Sequence, residues 1–434
     1  MPGRFRARRT PADLELRLTD GSGPPDARQA AARAQRELSG RVLAVTLRSV
    51  RDLDIAEEAT ADAFLLALQT WPERGVPDSV EAWLVTAARR RAIDRIRSAQ
   101  AARRALIRAA GGLRQVDPAD VSTEVGVIGD EDLRLVVLCC DPRIAESDQV
   151  ALTLRLACGV PTAAVAAAFL VGDSTMAARL TRAKKKLAAA GPNLDLPDDA
   201  TVDARLPVVR RVVYLAFTLG HTAGSGPALA DDDLADRAQY LATALRVLRP
   251  ADAEFTGLLA LIVLTRARTG GRFDEHGGQV VLADADRGRW DRELVRRGLL
   301  LTRAALAGSR SHPGPMALQA AIAAEHAIAP GLSATNWRRV VDLYGALLSV
   351  EPSPTLALAR CVAVAQLSGP AAGLRDLDEV LAVGGLERYP YAHAARAGLL
   401  DALGRRPEAR AAWASAAELA RTDAERTFFA RRAG

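Results

Sequence analysis

Ala82-Trp83-Leu84-Val85-Thr86-Ala87-Ala88-Arg89-Arg90-Arg91-Ala92-Ile93-Asp94-Arg95-Ile96-Arg97 is the stretch whose reading decides the fold. Leu84, Ala88, Ala92 and Ile96 recur every fourth residue, the spacing that lines one side of a helix. The other faces carry Arg89, Arg90, Arg91, Arg95 and Arg97, with Asp94 among them. A helix so dense in guanidinium groups, with an aromatic at its start, suits a nucleic-acid groove. Arginines neutralise phosphates, and rings or apolar walls accept unstacked bases.

The segment just upstream has the opposite sign. Asp54, Glu58 and Asp62 are spaced i, i+4, i+8 and share one helical face, with Glu57 beside them. Ile55, Ala59, Ala63, Leu66 and Ala67 make the apolar face. Alone, such a run reads as an ordinary solvated surface. The arginine helix that follows it changes the odds against that bland reading. From Ala30 to Arg104 the pattern is helical throughout, broken by a loop at Pro72 to Ser79.

A second constellation lies further on. Gln149 to Ala157 predicts one helix and Thr162 to Phe169 a second. A tight turn follows from Leu170 to Asp173 with Gly172, and then a third helix from Ser174 to Ala189. On the third, Met176, Leu180, Ala183 and Leu187 form the core stripe. Thr175, Ala178, Arg179 and Arg182 point outward, followed by Lys184, Lys185 and Lys186. Asp173 or Ser174 is suited to cap it. A basic amphipathic helix behind a short helix and a glycine turn is a helix-turn-helix signature, in which early residues reach base edges and later cations lie over phosphates.

Composition agrees with an all-helical chain. The 434 residues exceed one ordinary core and suit two to four domains. They are 49% hydrophobic and 25% charged, so a sizeable core can be buried. Alanine, leucine and arginine dominate and stand high on the helix scale. The formal charge of +6 matters only where it clusters. Cys139, Cys140, Cys158 and Cys361 lack metal-ligand spacing and read as small buried hydrophobes in a reducing compartment. No apolar run reaches the ~18 residues of a membrane span. The basic start MPGRFRARRT has no apolar stretch behind it, so no signal peptide and a cytoplasmic protein are expected.

The first pair of helices resembles region two of the extracytoplasmic-function (ECF) sigma factors. The matching residues are Asp54, Ala56, Glu57, Glu58, Asp62 and Phe64, then Ala82-Trp83-Leu84, Ala88-Arg89 and Ala92-Ile93-Asp94-Arg95-Ile96-Arg97. Ala61 stands where the family has Gln, and Arg90 where it has Asn. Thr175-Met176-x-x-Arg179-Leu180-x-Arg182-Ala183, with Ala151 to Leu156 upstream, resembles sigma region four. The resemblance implies that Asp54, Glu57, Glu58 and Asp62 dock on the coiled coil of the largest subunit of core RNA polymerase, with the flap as a further contact. It implies that Arg89, Arg90, Arg91, Asp94, Arg95 and Arg97, with the loop from Pro72 to Ser79, grip the melted −10 element. It also implies that Ser174, Thr175, Ala178, Arg179, Arg182, Lys184, Lys185 and Lys186 read the −35 element.

More than half the chain lies beyond these heads. That part resembles the helical C-terminal extension of one ECF group, through Val213-Tyr214-Leu215-x-Phe217-x-x-Gly220, Asp284 to Asp291, and Trp337 to Leu348. Where that group continues with Asn-Glu-Gly-Tyr after the Phe, this chain has Thr218-Leu219-Gly220-His221. Ala397, Leu400, Gly404, Ala409, Trp413 and Ala416 fall at the small, large and turn positions of one TPR-like hairpin. The cluster Asp284, Asp286, Arg287, Arg289, Trp290 and Asp291 reads either as a site for a charged ligand or as a salt-bridged knot, the knot being favoured.

The expected organisation is an all-α, multi-domain chain. A flexible leader covers 1–27, region two 28–104, a linker 105–130, region four 131–192, and the helical extension 200–434. Asp117, Asp120 and Glu124 make the linker acidic. The expected function is a non-enzymatic sigma factor with core polymerase and promoter DNA as partners, tuned by an extension that has its own protein partner. No cofactor and no metal are expected, because His221, His276, His312, His326 and His393 lack ligand spacing and no Walker loop or nucleophile elbow occurs. The other class is a TPR-type adaptor whose DNA-binding head never engages polymerase. The acidic face discriminates the two, because a plain adaptor has no use for it.

Overall fold

Small residues on one helix face let neighbouring helices approach closely, and the first three helices are built that way. They are α1 (Ala27–Val50), α2 (Leu53–Arg74) and α3 (Val80–Ala109). Ala63 and Ala67 of α2 and Ala88 of α3 are fully buried around Phe64, Trp71, Leu38, Val42 and Leu84. Trp71 meets Trp83 edge to face, with ring centroids 5.5 Å apart. The computed structural model describes residues 27–109, 130–169, 171–189, 198–221, 232–271, 280, 285–309, 312–420 and 422–434. Among them every regular element is helical, as the all-α, multi-domain expectation had it. The expected leader, most of the linker, the Gly191-Pro192 stretch and all of the Gln279–Leu282 run but Val280 lie outside the described residues.

Two boundaries in the first part differ from the sequence reading. The chain breaks between α1 and α2 at Arg51, which takes a left-handed φ of 53°. Asp52 then caps α2 by accepting from the Ile55 N–H at 2.9 Å. The expected loop at Pro72 begins later, because Pro72 lies inside the last turn of α2. The buried Trp71 holds that turn in the core, and Gly75 at φ 83° ends it.

The next four helices are α4 (Glu131–Cys139), α5 (Glu146–Leu156), α6 (Thr162–Ala168) and α7 (Asp173–Ala188). Residues 132–139 of α4 are all buried, which marks an interior helix. It packs on α1 and on α5. The four cysteines are indeed buried. Burial pushes the Cys139 and Cys140 thiols up, the second to about 12, so they pack as small apolar groups.

The chain forms two compact units, Met1–Val212 and Val213–Gly434, divided inside α8 (Asp199–His221). In the first unit Val202, Leu206 and Val209 of α8 are buried, and Arg205 donates to Asp141 Oδ2 and to the Val137 carbonyl, both at 3.2 Å.

The second unit is a succession of helices, each packed on the next. They are α9 (Asp232–Leu248), α10 (Ala253–Ala267), α11 (Arg292–Gly308), α12 (Pro315–Ile328), α13 (Trp337–Val350), α14 (Pro354–Ser368), α15 (Pro370–Val383), α16 (Pro390–Ala402), α17 (Arg406–Leu419) and α18 (Asp423–Ala433). α10 is apolar all round and central. Its Glu254 carboxylate accepts from the Met316 and Ala317 N–H groups, each at 3.1 Å, and so caps α12 from outside. Gly257, one turn on, lets the two backbones touch. A Cβ there would lie 2.6 Å from the Ala317 nitrogen. Gly257→Ala is therefore expected to destabilise the second unit by about 1–3 kcal/mol, since backbone cannot yield as a side chain does. Urea unfolding of the full chain followed by fluorescence measures it, and an unchanged midpoint contradicts the close approach.

The TPR-like hairpin is α16 and α17. Ala397, Leu400, Ala409, Trp413 and Ala416 are buried, and Gly404 makes the turn at φ 74°. The Trp413 indole donates to Asp401 at 2.8 Å. α18 closes the end, with Phe429 against Trp413 and a capping box between Thr422 and Glu425.

Candidate nucleic-acid interface

The acidic residues of α2 emerge on the side away from its alanine stripe. Asp54 and Glu58 are exposed, and Glu57 and Asp62 are half-buried. Arg95 of α3 reaches both Glu58 and Asp62, the second at 2.7 Å. The hydrogen bond that Arg95 donates to Asp62 raises the Arg95 pKa most, desolvation opposes it, and the charges of Asp62 and Glu58 add to the rise. Arg89, Arg90, Arg91, Asp94 and Arg97 project into solvent, while Leu84, Ala88 and Ala92 hold the helix in the core. The exposed residues thus form a broad cationic surface with Ile93, itself 45% exposed, among them.

The axes of α6 and α7 turn through 104°, within the range of a helix-turn-helix. The turn closes with the Val171 N–H on the Ala166 carbonyl at 3.0 Å. Neither Asp173 nor Ser174 caps α7. The N-cap is Gly172, without a side-chain bond, and Asp173 contributes its charge in the first turn instead. Met176, Leu180, Ala183 and Leu187 are buried as the spacing requires. Ser174, Thr175, Ala178, Arg182, Lys185 and Lys186 are exposed.

Two of the basic residues are engaged within the chain. Arg179 donates to Asp148 at 2.8 Å and to Ser147 at 3.0 Å, and its guanidinium lies 5.4 Å from the centre of the Phe169 ring. It thereby ties α7 to α5. Lys184 pairs with Glu57 of α2, the two side chains being 25% and 28% exposed. Sequence reasoning had no means of finding this partner. It also missed Arg205, whose signal was an arginine set among Val202, Leu206 and Val209 on an apolar helix face.

In the Trp290 cluster of the second unit, backbone carbonyls take part in the knot. Arg287 donates to the His326 carbonyl at 2.8 Å and to the Ala329 carbonyl, and it stacks 4.9 Å from the centre of the Trp290 ring. It thus satisfies carbonyls at the end of α12. Asp286 and Asp291 cap the short turn at 287–289 and helix α11. Asp284 lies outside the described residues. Burial, then the charges of Arg268 and Arg287, lower the His326 pKa to about 4. The folded state therefore resists a proton that the unfolded chain takes up at the ordinary 6.5. Stability from this group is complete above about pH 6.5 and falls as pH drops toward 4, by up to about 3 kcal/mol. His326→Gln is expected to reduce the difference in melting temperature between pH 7 and pH 5. An identical difference in the variant contradicts a neutral buried imidazole.

Among the described residues no group of His, Cys, Asp and Glu is arranged to hold a metal ion, and no single helix is long and apolar enough to cross a membrane.

Comparison with known proteins bears on the same regions. Residues 35–102 match the family model for Sigma-70 region 2, and residues 205–306 match a Family of unknown function (DUF6596). The ECF RNA polymerase sigma factor SigK of Mycobacterium bovis (strain BCG / Pasteur 1173P2) is 30% identical over 152 residues, 34% of this chain and 78% of that protein. SigK of Mycolicibacterium vanbaalenii is 37% identical over 105 residues, 23% of this chain and 51% of that protein. An uncharacterised protein of Rhizobium meliloti (strain 1021), R00370, is 37% identical over 392 residues, 89% of this chain and 91% of that protein. The chain belongs to the ECF RNA polymerase sigma factors, carries a long helical extension with a TPR-like end, and has a sigma factor's role in transcription.

Proposed function

We propose that this sigma factor binds core RNA polymerase through the acidic face of α2 and directs it to promoters through α3 and α7. The observation that carries the reading is the pairing of two consecutive helices of opposite charge with a basic helix-turn-helix in one compact unit. Glu57, Glu58, Asp62 and Asp54 supply the polymerase contact, on the coiled coil of the largest subunit. Arg89, Arg90, Arg91, Asp94, Arg95 and Arg97 line the −10 surface. Ser174, Thr175, Ala178 and Arg182 face base edges, Lys184, Lys185 and Lys186 face phosphates, and Arg179 helps to position α7. The role needs no catalytic step, no cofactor and no membrane, and its place is the cytoplasm. The extension adjusts promoter output in cis and offers helical surfaces to a protein partner.

Glu57→Lys with Glu58→Lys is expected to weaken binding to core polymerase by roughly tenfold while the protein stays folded, because reversing rim charges sets like against like. Surface plasmon resonance with immobilised core measures it. Unchanged affinity in the folded double variant removes the polymerase contact from α2 and favours the adaptor.

On DNA, Lys185→Ala and Lys186→Ala are expected to weaken binding evenly across sequences, each lowering the salt slope by about one. Arg182→Ala should relax −35 preference instead. A reversed pattern means that α7 lies in the groove the other way round.

A further inference from the structure

Three elements of the second unit meet at Trp290: the end of α10, the short turn at 287–289 and the end of α12. The indole is buried, at 6% exposure. The guanidiniums of Arg287 and Arg268 lie 4.9 and 5.4 Å from the centre of its ring. Gly270 and Gly271, just past α10, approach the turn closely. A Cβ on the first would lie 2.5 Å from the Arg289 carbonyl oxygen, and one on the second 2.9 Å from Trp290 Nε1. Arg287 reaches across to the carbonyls of His326 and Ala329, and the His326 ring meets Trp337 edge to face at 5.4 Å. The cluster is closely fitted, yet its polar atoms are not all used. Arg287 Nη2, Trp290 Nε1 and His326 Nδ1 are buried without a hydrogen-bond partner among the described residues. The three belong to residues in contact through Arg287, and buried polar atoms are ordinarily satisfied.

We infer that this cluster is a binding site for a small inorganic oxyanion of the phosphate class, held by Arg287 Nη2 and Trp290 Nε1 as donors with the His326 ring beside them. The charge at the cluster selects an anion. The carboxylates of Asp286 and Asp291 are engaged by backbone, Asp286 accepting from the Gly288 N–H at 2.8 Å and Asp291 from those of Glu293 and Leu294 at 2.9 and 3.0 Å. Arg287 makes no ion pair among the described residues, so a charged donor faces the cluster with backbone carbonyls as its partners. The neutral His326 ring suits the same ligand, since Nδ1 either donates to an oxyanion or accepts from the hydroxyl of a protonated one. Enclosure selects a free ion over a group carried on a larger molecule, because the indole is buried and the two glycines close over the turn. The site is independent of the polymerase and promoter contacts, since all its residues lie in the second unit. A bound ion ties the end of α10 to the end of α12, so the second unit gains stability with its concentration.

Isothermal titration calorimetry of the full chain with inorganic phosphate tests the site, with sodium chloride at equal ionic strength as the control. One ion per chain is expected, with a dissociation constant on the order of 1 mM or below, the level that a few charge-assisted hydrogen bonds reach. No heat beyond the chloride control overturns the proposal and leaves the orphaned atoms to water. Glycerol 3-phosphate is expected to bind at least tenfold more weakly. Equal affinity for this monoester overturns a site closed around a free ion.

Two variants locate the ion. Trp290→Phe keeps a ring for both guanidiniums and removes only the indole donor, so phosphate affinity is expected to fall about tenfold. Arg292→Ala removes an exposed arginine of α11 and is expected to change nothing. Unchanged affinity in Trp290→Phe, or an equal loss in Arg292→Ala, means that phosphate sits on the cationic surface and overturns the site. A measurement on the unmodified chain stands beside these, in case Trp290→Phe fails to fold. In hydrogen–deuterium exchange read by mass spectrometry, saturating phosphate is expected to slow peptides covering 287–292 and 326–330 severalfold. Slowing confined to other parts of the chain overturns the proposal.

Discussion

Asp141→Ala is expected to lower the stability of the first compact unit by about 3–5 kcal/mol, because it strands the buried guanidinium of Arg205 without its counter-charge. The Asp141 side chain is 4% exposed and that of Arg205 is 9% exposed. Asp141→Ala removes the carboxylate that Arg205 pairs with while Arg205 stays buried. Only its 3.2 Å bond to the Val137 carbonyl would remain. Arg205→Ala should cost less, since Arg143 also donates to both Asp141 oxygens, at 2.8 and 2.7 Å. The pair makes a sharper test than either single change. Replacing both partners by apolar groups, Asp141→Leu with Arg205→Met, removes both desolvation penalties and should recover most of the loss.

Chemical denaturation of the four proteins decides the matter. A double variant no more stable than Asp141→Ala means that the two groups are not coupled. The pH dependence has a definite sign. Hydrogen bonds from Arg143, then the charge of Arg205, hold the Asp141 carboxyl below its ordinary 3.8. Its contribution is present above about pH 4 and lost as pH falls through the depressed value, so wild type and variants should converge in acid.

The buried pair and the Glu57–Lys184 pair show which part of the structure is legible in the sequence. Met176, Leu180, Ala183 and Leu187 could be named as a buried stripe because a helix repeats every 3.6 residues and each position predicts the next. The same holds for Leu84, Ala88 and Ala92, and for the small and large positions of the α16–α17 hairpin. The partner of Lys184 lies 127 residues away and that of Arg205 lies 64 away, where no local period applies. Arg51 is another kind of miss. The chain turns there through a left-handed arginine, and neither glycine nor proline announces the break. Pro72 misled in the opposite sense, since α2 runs on through it to Arg74 while Trp71 stays in the core. In the Trp290 cluster, Arg287 donates to the backbone carbonyls of His326 and Ala329, and such partners leave no trace in a sequence. In the candidate interface the exposed residues were accessible to pattern, and the engaged ones, Arg95, Arg179 and Lys184, were identified without their partners.

The extension is expected to be required for promoter output, and the structure decides where a cut should fall. A chain ended after Leu194, in the Gly/Pro/Asp-rich stretch, loses Arg205 together with Val202, Leu206 and Val209, all of which are buried in the first unit. That truncation should be unstable for the reason just given for Asp141. A chain ended after Val212 keeps the whole first unit and loses only the second. It should bind core polymerase as the full chain does, because the acidic face of α2 lies within what remains. Its transcription should fall nonetheless. A module joined to its own head in one chain acts at an effective concentration of order millimolar, so weak contacts suffice to stabilise a working arrangement. Run-off transcription from one cognate promoter, at equal core occupancy and with circular dichroism matched to the retained helices, compares the two proteins. A loss of output with unchanged core affinity places the effect after polymerase binding. Equal output from both would sink control in cis and leave the second unit as a surface for a separate partner.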